Sequence, residues 1–377
     1  MDRGRLILIL PDGRLIDCRG EKAGPEATIV INKLSALRRL LFSGDVAFAE
    51  AFVRGEWSSP DVAAAIELAA VNGESFMRAV EGFPPARVAN WLGHRLRANS
   101  REGSRRNIAA HYDLGNDFYR LWLDPDMLYS SGIYRRGDET LEEAQRNKID
   151  RVLELLDARH GESVLEIGCG WGALAVAAAE TGAGSVIGLT LSKEQLAHAQ
   201  ALVEERRVGS SVALRLQDYR DVAGKFDRIV SVEMIEAVGR EYWPAYFSCL
   251  RDRLAEGGHI VLQVITIDDS RFKKYMTTPD FIQRYIFPGG ALPCPSVLRE
   301  EAQRAGLRIE TVETFGDDYA RTLIQWRERF HDNWSRIEAL GFDFAFRRLW
   351  DYYLCYCIGG FRSGAIDVGL YRLMRDQ

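Results

Sequence analysis

Between residues 163 and 266, five short runs rich in β-branched residues, at 163–167, 185–189, 212–216, 226–232 and 259–266, alternate with stretches of helical spacing at 173–180, 193–207 and 242–254. No other feature constrains the fold as tightly. Strands separated by helices pair in parallel, because the crossover must carry the chain back across the sheet, and the sheet is then covered on both faces. The fold class that follows is α/β, with a Rossmann-like, largely parallel sheet whose ligand belongs at the carboxyl ends of the strands. At the end of the first run the text VLEIGCGWGAL, residues 164–174, passes from an apolar strand through Glu166 into Gly168, Gly170 and Gly172.

The spacing of this loop matters. Dinucleotide loops read GxGxxG and are followed by an acid at the end of the second strand, which holds a ribose hydroxyl. Here the glycines are spaced GxGxG, and the second strand ends in GLTLS with no acid. Glycines at this spacing let the backbone approach a ligand closely, and Glu166 adds negative charge beside them. That suits a cation, and S-adenosylmethionine carries an ammonium and a sulfonium. Taken alone, the loop leaves open this cofactor, a nucleotide and a structural turn.

A chain of 377 residues predicts two or three domains. With 47% hydrophobic and 27% charged residues it reads as a globular protein, and no stretch of about 18 apolar residues suggests a membrane span. The six cysteines contain no CxxC pair and the six histidines no HxxxH or HExxH pair, so no metal site is expected. A net charge of −5 argues against general capture of nucleic acid. The opening text MDRGRLILILPDGRL has too short an apolar run for a secretion signal, and the expected compartment is the cytoplasm.

Ahead of the strand–helix region, RLILILPDGRLIDC predicts two short strands about a Pro-Asp-Gly turn. LSALRRLLFSGDVAFAEAFVRGEW and DVAAAIELAAV then show helical spacing, with Gly and Pro as breaks. The expected organisation is a small mixed α/β N-terminal domain over 1–93, a linker over 94–107 and a catalytic domain over 108–377. The linker text HRLRANSREGSRRN carries five arginines and one glutamate, which fits a solvated arm or a lipid-headgroup contact.

From about Ala109 onward the chain resembles the cyclopropane-fatty-acid synthase family, which includes the mycolic acid cyclopropane synthases. The matching text is ordered and extensive: HYDLGNDFYRLWLDP, YSSGIY, VLEIGCGWGAL, GLTLSKEQ, LQDYRD, FDRIVSVEMIEAVG, FIQRYIFPGGALP, FGDDY and FR near Phe361. GDVAFAEAFVRGEWSSPD resembles the N-terminal domain of the longer bacterial members. The resemblance implies an S-adenosylmethionine-dependent methyltransferase acting on the double bond of an unsaturated phospholipid acyl chain. By motif position Glu166, Gly168, Gly170 and Gly172 hold the cofactor, with Tyr129 and Ser130 over its methionine end. Thr190, Leu191 and Gln195 then surround the ribose, and Asp218 and Tyr219 the adenine. Each also has a structural reading: Tyr129 as core, Gln195 as an exposed helix residue and Asp218 as a cap.

The resemblance further implies that bicarbonate serves as the base. Its glutamate falls on Glu236, its tyrosine on Tyr319 and its isoleucine on Ile265. Two positions depart from the best-known pattern: Ser131 stands for a cysteine, and Gln263 for a histidine. Glutamine can donate a hydrogen bond to an anion but cannot become cationic. Tyr112 is placed near the same pocket. Loss of the proton before ring closure gives a methylene- or methyl-branched chain instead, with a separate reductase for the latter, and some amine N-methyltransferases also resemble the family. The dense aromatics of IQWRERFHDNW and LWDYYLCYCIGGF are implied to form a helical cap lining an acyl channel. A homodimer and reversible contact with the inner membrane surface complete the expectation.

Overall fold

The structure, a computed structural model, describes residues 1–73 and 114–376, and within them all side chains except those of 38–45. The basic segment 94–107 and Tyr112 lie outside these residues. The N-terminal text forms β1 (Arg3–Ile9) and β2 (Leu15–Arg19), which pair antiparallel about Pro11, Asp12 and Gly13. β3 (Lys22–Ile31) runs parallel to β1 on its other side, and the short β4 (Trp57–Ser58) closes the order β2-β1-β3-β4. The helix Ser35–Val53 runs unbroken through Gly44, where a break was expected, because tertiary packing outweighs the roughly 1 kcal/mol that one glycine costs a helix. Asp61 starts the helix Val62–Val71 by accepting the amide of Ala64 at 2.9 Å.

One compact unit comprises the described residues of Met1–Leu96, Lys273–Pro288 and Tyr319–Ile366. Within it the aromatic helix Phe344–Arg362 packs on Val62–Val71 at Gly359, where an added Cβ would lie 2.7 Å from Ile66 and 2.8 Å from the backbone of Glu67. Arg348 reaches the carbonyls of Phe52 and Trp57 at 2.6 and 3.1 Å, with its guanidinium 4.0 Å from the Phe52 ring.

The second unit comprises the described residues of Arg97–Phe272, Gly289–Asp318 and Asp367–Gln377. Its strands are β5 (Ser163–Ile167), β6 (Ser185–Thr190), β7 (Val212–Leu216), β8 (Phe226–Val232), β9 (Leu254–Ile267), β10 (Leu307–Thr314) and β11 (Ile366–Arg375), in the order β10-β11-β9-β8-β5-β6-β7. β5 to β9 pair in parallel, and β10 pairs antiparallel with β11 at the edge. β5, β7 and β8 coincide with the expected runs, whereas β9 begins at Leu254 rather than 259. Val164, Leu165 and Ile167 are buried because helices cover both sheet faces, and Val152, Leu155, Leu174, Val186, Val230 and Val261 share one core cluster around the strand. Strand order reverses at β5, so a crevice opens at its carboxyl end, where the glycine loop turns.

The helix Leu141–Leu156 is started by a capping box in which Thr140 and Glu143 exchange hydrogen bonds. Its buried face contains Leu141, Ala144, Val152 and Leu155, but also Gln145 and Lys148, each 1% exposed. Among the described residues no helix is long and apolar enough to cross a membrane, and no cluster of side chains could hold a metal ion.

Candidate active site

A cavity at the carboxyl end of β5 is lined by Tyr129, Ser130, Lys148, Glu166, Gly168, Gly170, Thr190, Leu191, Gln195, Gln217, Tyr219, Glu233 and Met234, among others. Its floor is the glycine loop. Gly168, Gly170 and Gly172 all take positive φ, of 82°, 52° and 94°, a region that other residues enter only at a cost. The three have different tasks. A Cβ on Gly168 would lie 2.8 Å from Met234, and one on Gly172 would lie 2.8 Å from Cβ of Ala199, so these two glycines permit packing. A Cβ on Gly170 meets nothing within 4 Å, which is what a residue facing ligand space requires. Gly172, expected at the cofactor, does not line the cavity and instead caps the helix Ala173–Glu180.

Glu166 is 3% exposed, and its Oε2 has no hydrogen-bond partner. Burial pushes its carboxyl up to about 8, against an opposing pull from Lys148. A buried, unpartnered carboxylate oxygen beside a cavity is suited to a cationic or hydroxyl-bearing ligand. At the far side, Thr190 donates to Oε1 of Gln195 at 2.9 Å, and Ser192 caps the helix Lys193–Glu205 by accepting the Gln195 amide at 3.2 Å. Gln195 is thus buried and held, not exposed. Asp218 departs from its expected place: it is absent from the cavity wall, accepts both Nε and Nη2 of Arg220 at 2.9 and 2.6 Å, and caps the turn that follows. Its neighbours Gln217 and Tyr219 line the cavity in its stead.

A strap of residues 128–133 forms another wall. Tyr129 packs between Tyr119 and Trp122, with ring centroids at 5.5 and 5.4 Å. Gln145 donates to the Ser130 carbonyl at 2.8 Å, and Lys148 Nζ donates to the Ser130 hydroxyl at 2.8 Å. Burial lowers the Lys148 ammonium to about 8, although Glu233, Asp124 and Glu166 favour its charge. The Ser131 amide donates to Glu233 Oε1 at 2.9 Å, and its hydroxyl turns back to the Gly132 carbonyl.

Glu233, which no sequence motif singled out, joins these walls. It sits at φ 48°, a strained conformation for a residue with a side chain. The strain is compensated by three hydrogen bonds: its amide donates to the Gln263 carbonyl at 2.8 Å, and its Oε1 receives Gln263 Nε2 at 2.8 Å besides Ser131. Gln263 Nε2 also reaches the Ser131 carbonyl at 3.4 Å, while its Oε1 lacks a partner. Ser131 and Gln263 are therefore brought together, but on Glu233 and not on Glu236.

Glu236 follows on the turn after β8. Its Oε1 accepts the Ile265 amide at 2.6 Å, and its enclosed Oε2 has no hydrogen-bond partner. Burial and then the charge of Glu233 push its carboxyl up to about 8. Glu236 and Ile265, both expected around a bound bicarbonate, are joined to each other directly by this one bond. Tyr319 belongs to the other unit, where its buried ring stacks on Phe361 with centroids 4.5 Å apart.

These residues fit S-adenosylmethionine: an open face at Gly170 for close approach, one unpartnered carboxyl oxygen at Glu166, and an excess of acid over base on the wall. The family model described as mycolic acid cyclopropane synthetase matches residues 99–370. The chain belongs to that family. It is with that family an S-adenosylmethionine-dependent methyltransferase. Over 368 residues it is 39% identical to the tuberculostearic acid methyltransferase of Mycobacterium tuberculosis, covering 94% of this chain and 85% of that one. It is also 39% identical to the cyclopropane-fatty-acyl-phospholipid synthase of Escherichia coli, over 70% of this chain and 66% of that one. A solved mycolic acid cyclopropane synthase complexed with SAH and CTAB superposes with a TM-score of 0.67 at 35% identity, over 71% of this chain and 97% of that one.

Lys148, Gln217, Glu233 and Met234 are among the cavity residues that motif reading missed. For Lys148 a signal existed: an amine on the apolar stripe of a helix, three residues after a glutamine on the same stripe. Glu233 stood inside the matching text FDRIVSVEMIEAVG, but its role depends on the distant Ser131 and Gln263 and is not written there.

Proposed function

We propose that this family member transfers a methyl group from S-adenosylmethionine to the double bond of an unsaturated phospholipid acyl chain, and that the added carbon closes into a cyclopropane ring. Glu236 carries the reading: a buried acid with an unpartnered oxygen, one turn from the cavity wall. An isolated alkene is a weak nucleophile, so the site must hold it in near-attack geometry and exclude water. Bound in the cavity, the cofactor supplies an electrophilic methyl group. Charge then develops on the acyl chain, and a proton must leave the new methyl before the ring can close.

With its carboxyl pushed up to about 8, Glu236 is neutral near pH 7 in the ligand-free protein. Oε1 is occupied by the Ile265 amide, so the proton resides on Oε2 and makes it a donor. A donor there suits bicarbonate, which in this reading accepts the departing proton. Gln263 supports that anion less than a histidine would, because its amide donors are engaged by Glu233 and Ser131. Ser131 completes the proposed surroundings within this unit, with Thr190, Leu191, Gln195 and Tyr219 about the nucleoside.

A second reading, a methylene- or methyl-branched product with a partner reductase for the latter, is favoured by the likeness over 94% of the chain to a tuberculostearic acid methyltransferase. A lipid substrate requires reversible contact with the inner membrane surface, and a homodimer is part of the proposal. The test is incubation with methyl-labelled S-adenosylmethionine and vesicles of cis-unsaturated phospholipid, read by mass spectrometry and proton NMR. Label in a chain one CH₂ heavier with upfield ring protons supports the first reading, and vinylic methylene signals support the second. Label in a soluble amine and none in lipid would overturn both.

A further inference from the structure

Lys148 is the one cation lining the cavity among the described residues, and it is 1% exposed. An ammonium has three N–H donors. Only one is engaged here, by the Ser130 hydroxyl at 2.8 Å, and no described carboxylate comes within the 4.0 Å of an ion pair. Glu233, Asp124 and Glu166 favour its charge only from beyond that distance, so its remaining buried N–H donors are open to an anion on a ligand. The position is well supported, because Gln145 fixes the Ser130 carbonyl while Lys148 fixes its hydroxyl.

The charges around it form a pattern. Glu166 and Glu233 line the same cavity, whereas Asp126 lies at the rim, 54% exposed and 3.8 Å from Arg206. Two acids and one base thus face the enclosed space. The amino-acid end of S-adenosylmethionine carries the complement: an ammonium, a sulfonium and one carboxylate. We infer that Lys148 binds the α-carboxylate of the cofactor through its free N–H donors, leaving Glu233, and Glu166 once the bound cation draws off its proton, to answer the two positive charges. The inference rests on the cofactor reading of the cavity. Bicarbonate is the other carboxylate-like anion in the proposed chemistry, and the test separates the two.

Calorimetric titration with S-adenosylhomocysteine and with its decarboxylated analogue, which keeps the ammonium, reads the contact without turnover. The parent protein should prefer the carboxylate-bearing ligand by about 10- to 100-fold, the range of one charge-assisted hydrogen bond to a buried ion. Lys148→Met should remove that preference, weakening the first ligand by the same factor and leaving the analogue within about threefold. The parent comparison stands even if the variant fails to fold. Equal affinity of the parent for both ligands overturns the inference while leaving the cofactor reading intact; absence of any binding sinks the cofactor reading itself. A Lys148→Met protein that keeps the preference but loses its rate response to added bicarbonate overturns it too, because the anion at Lys148 is then bicarbonate.

Discussion

Replacing Glu236 by glutamine tests both the electrostatics and the chemistry of the site. The carboxyl sits at about 8 in the folded protein against an ordinary value of 4.5. Between those limits the folded protein keeps a proton that the unfolded chain has released, so stability falls as pH rises and levels off above pH 8. At about 1.4 kcal/mol per pH unit, the penalty is about 3 kcal/mol at pH 7 and about 5 kcal/mol at pH 9. Glutamine retains an oxygen for the Ile265 amide and never ionises. The variant should therefore gain on the parent by about 4 kcal/mol between pH 5 and pH 9, roughly a 10 °C widening of the gap in melting temperature for a unit of this size. Other titrating groups, Glu166 among them, are common to both proteins and cancel in the difference. Paired thermal melts of ligand-free protein across that range measure the effect. In the same variant turnover should fall by about 10²- to 10⁴-fold, with affinity for S-adenosylhomocysteine within about threefold. Melting curves that stay parallel across the range would refute the buried-acid argument, and full activity would remove Glu236 from the mechanism.

Gly170→Val places a branched side chain in open cavity space at φ 52°, and calorimetry should show S-adenosylhomocysteine bound more than about tenfold more weakly; unchanged affinity would mean that the loop does not face the ligand. Gly172→Ala should instead act on stability, costing about 2–3 kcal/mol through the positive φ and the 2.8 Å approach to Ala199, and denaturant unfolding at the parental midpoint would count against that packing task. Gln263→Leu strips one donor from Glu233, and a loss of about 1–3 kcal/mol in unfolding free energy is expected; no loss would show that the Ser131 and Gln263 bonds do not hold that carboxylate.

What the sequence by itself determined lies in short windows. The bounds of β5, β7 and β8 were legible because burial on both faces writes β-branched runs into local text, and the glycine loop was legible because its backbone needs residues without Cβ atoms. Motif order likewise picked out Tyr129, Ser130, Glu166, Thr190, Leu191, Gln195 and Tyr219, all of which line one cavity. Tertiary structure alone decided what individual side chains do once the chain has folded. Gly172 serves packing because Ala199 comes against it, and Glu233 gathers Ser131 and Gln263 across 102 and 30 positions of sequence. Asp218 is the reverse case, absent from the cavity wall and bonded to Arg220 two residues away, a choice between partners that spacing cannot make. The reason is physical: periodicity reports which face a residue turns inward, whereas a hydrogen bond or an unpaired charge depends on which distant atoms arrive there.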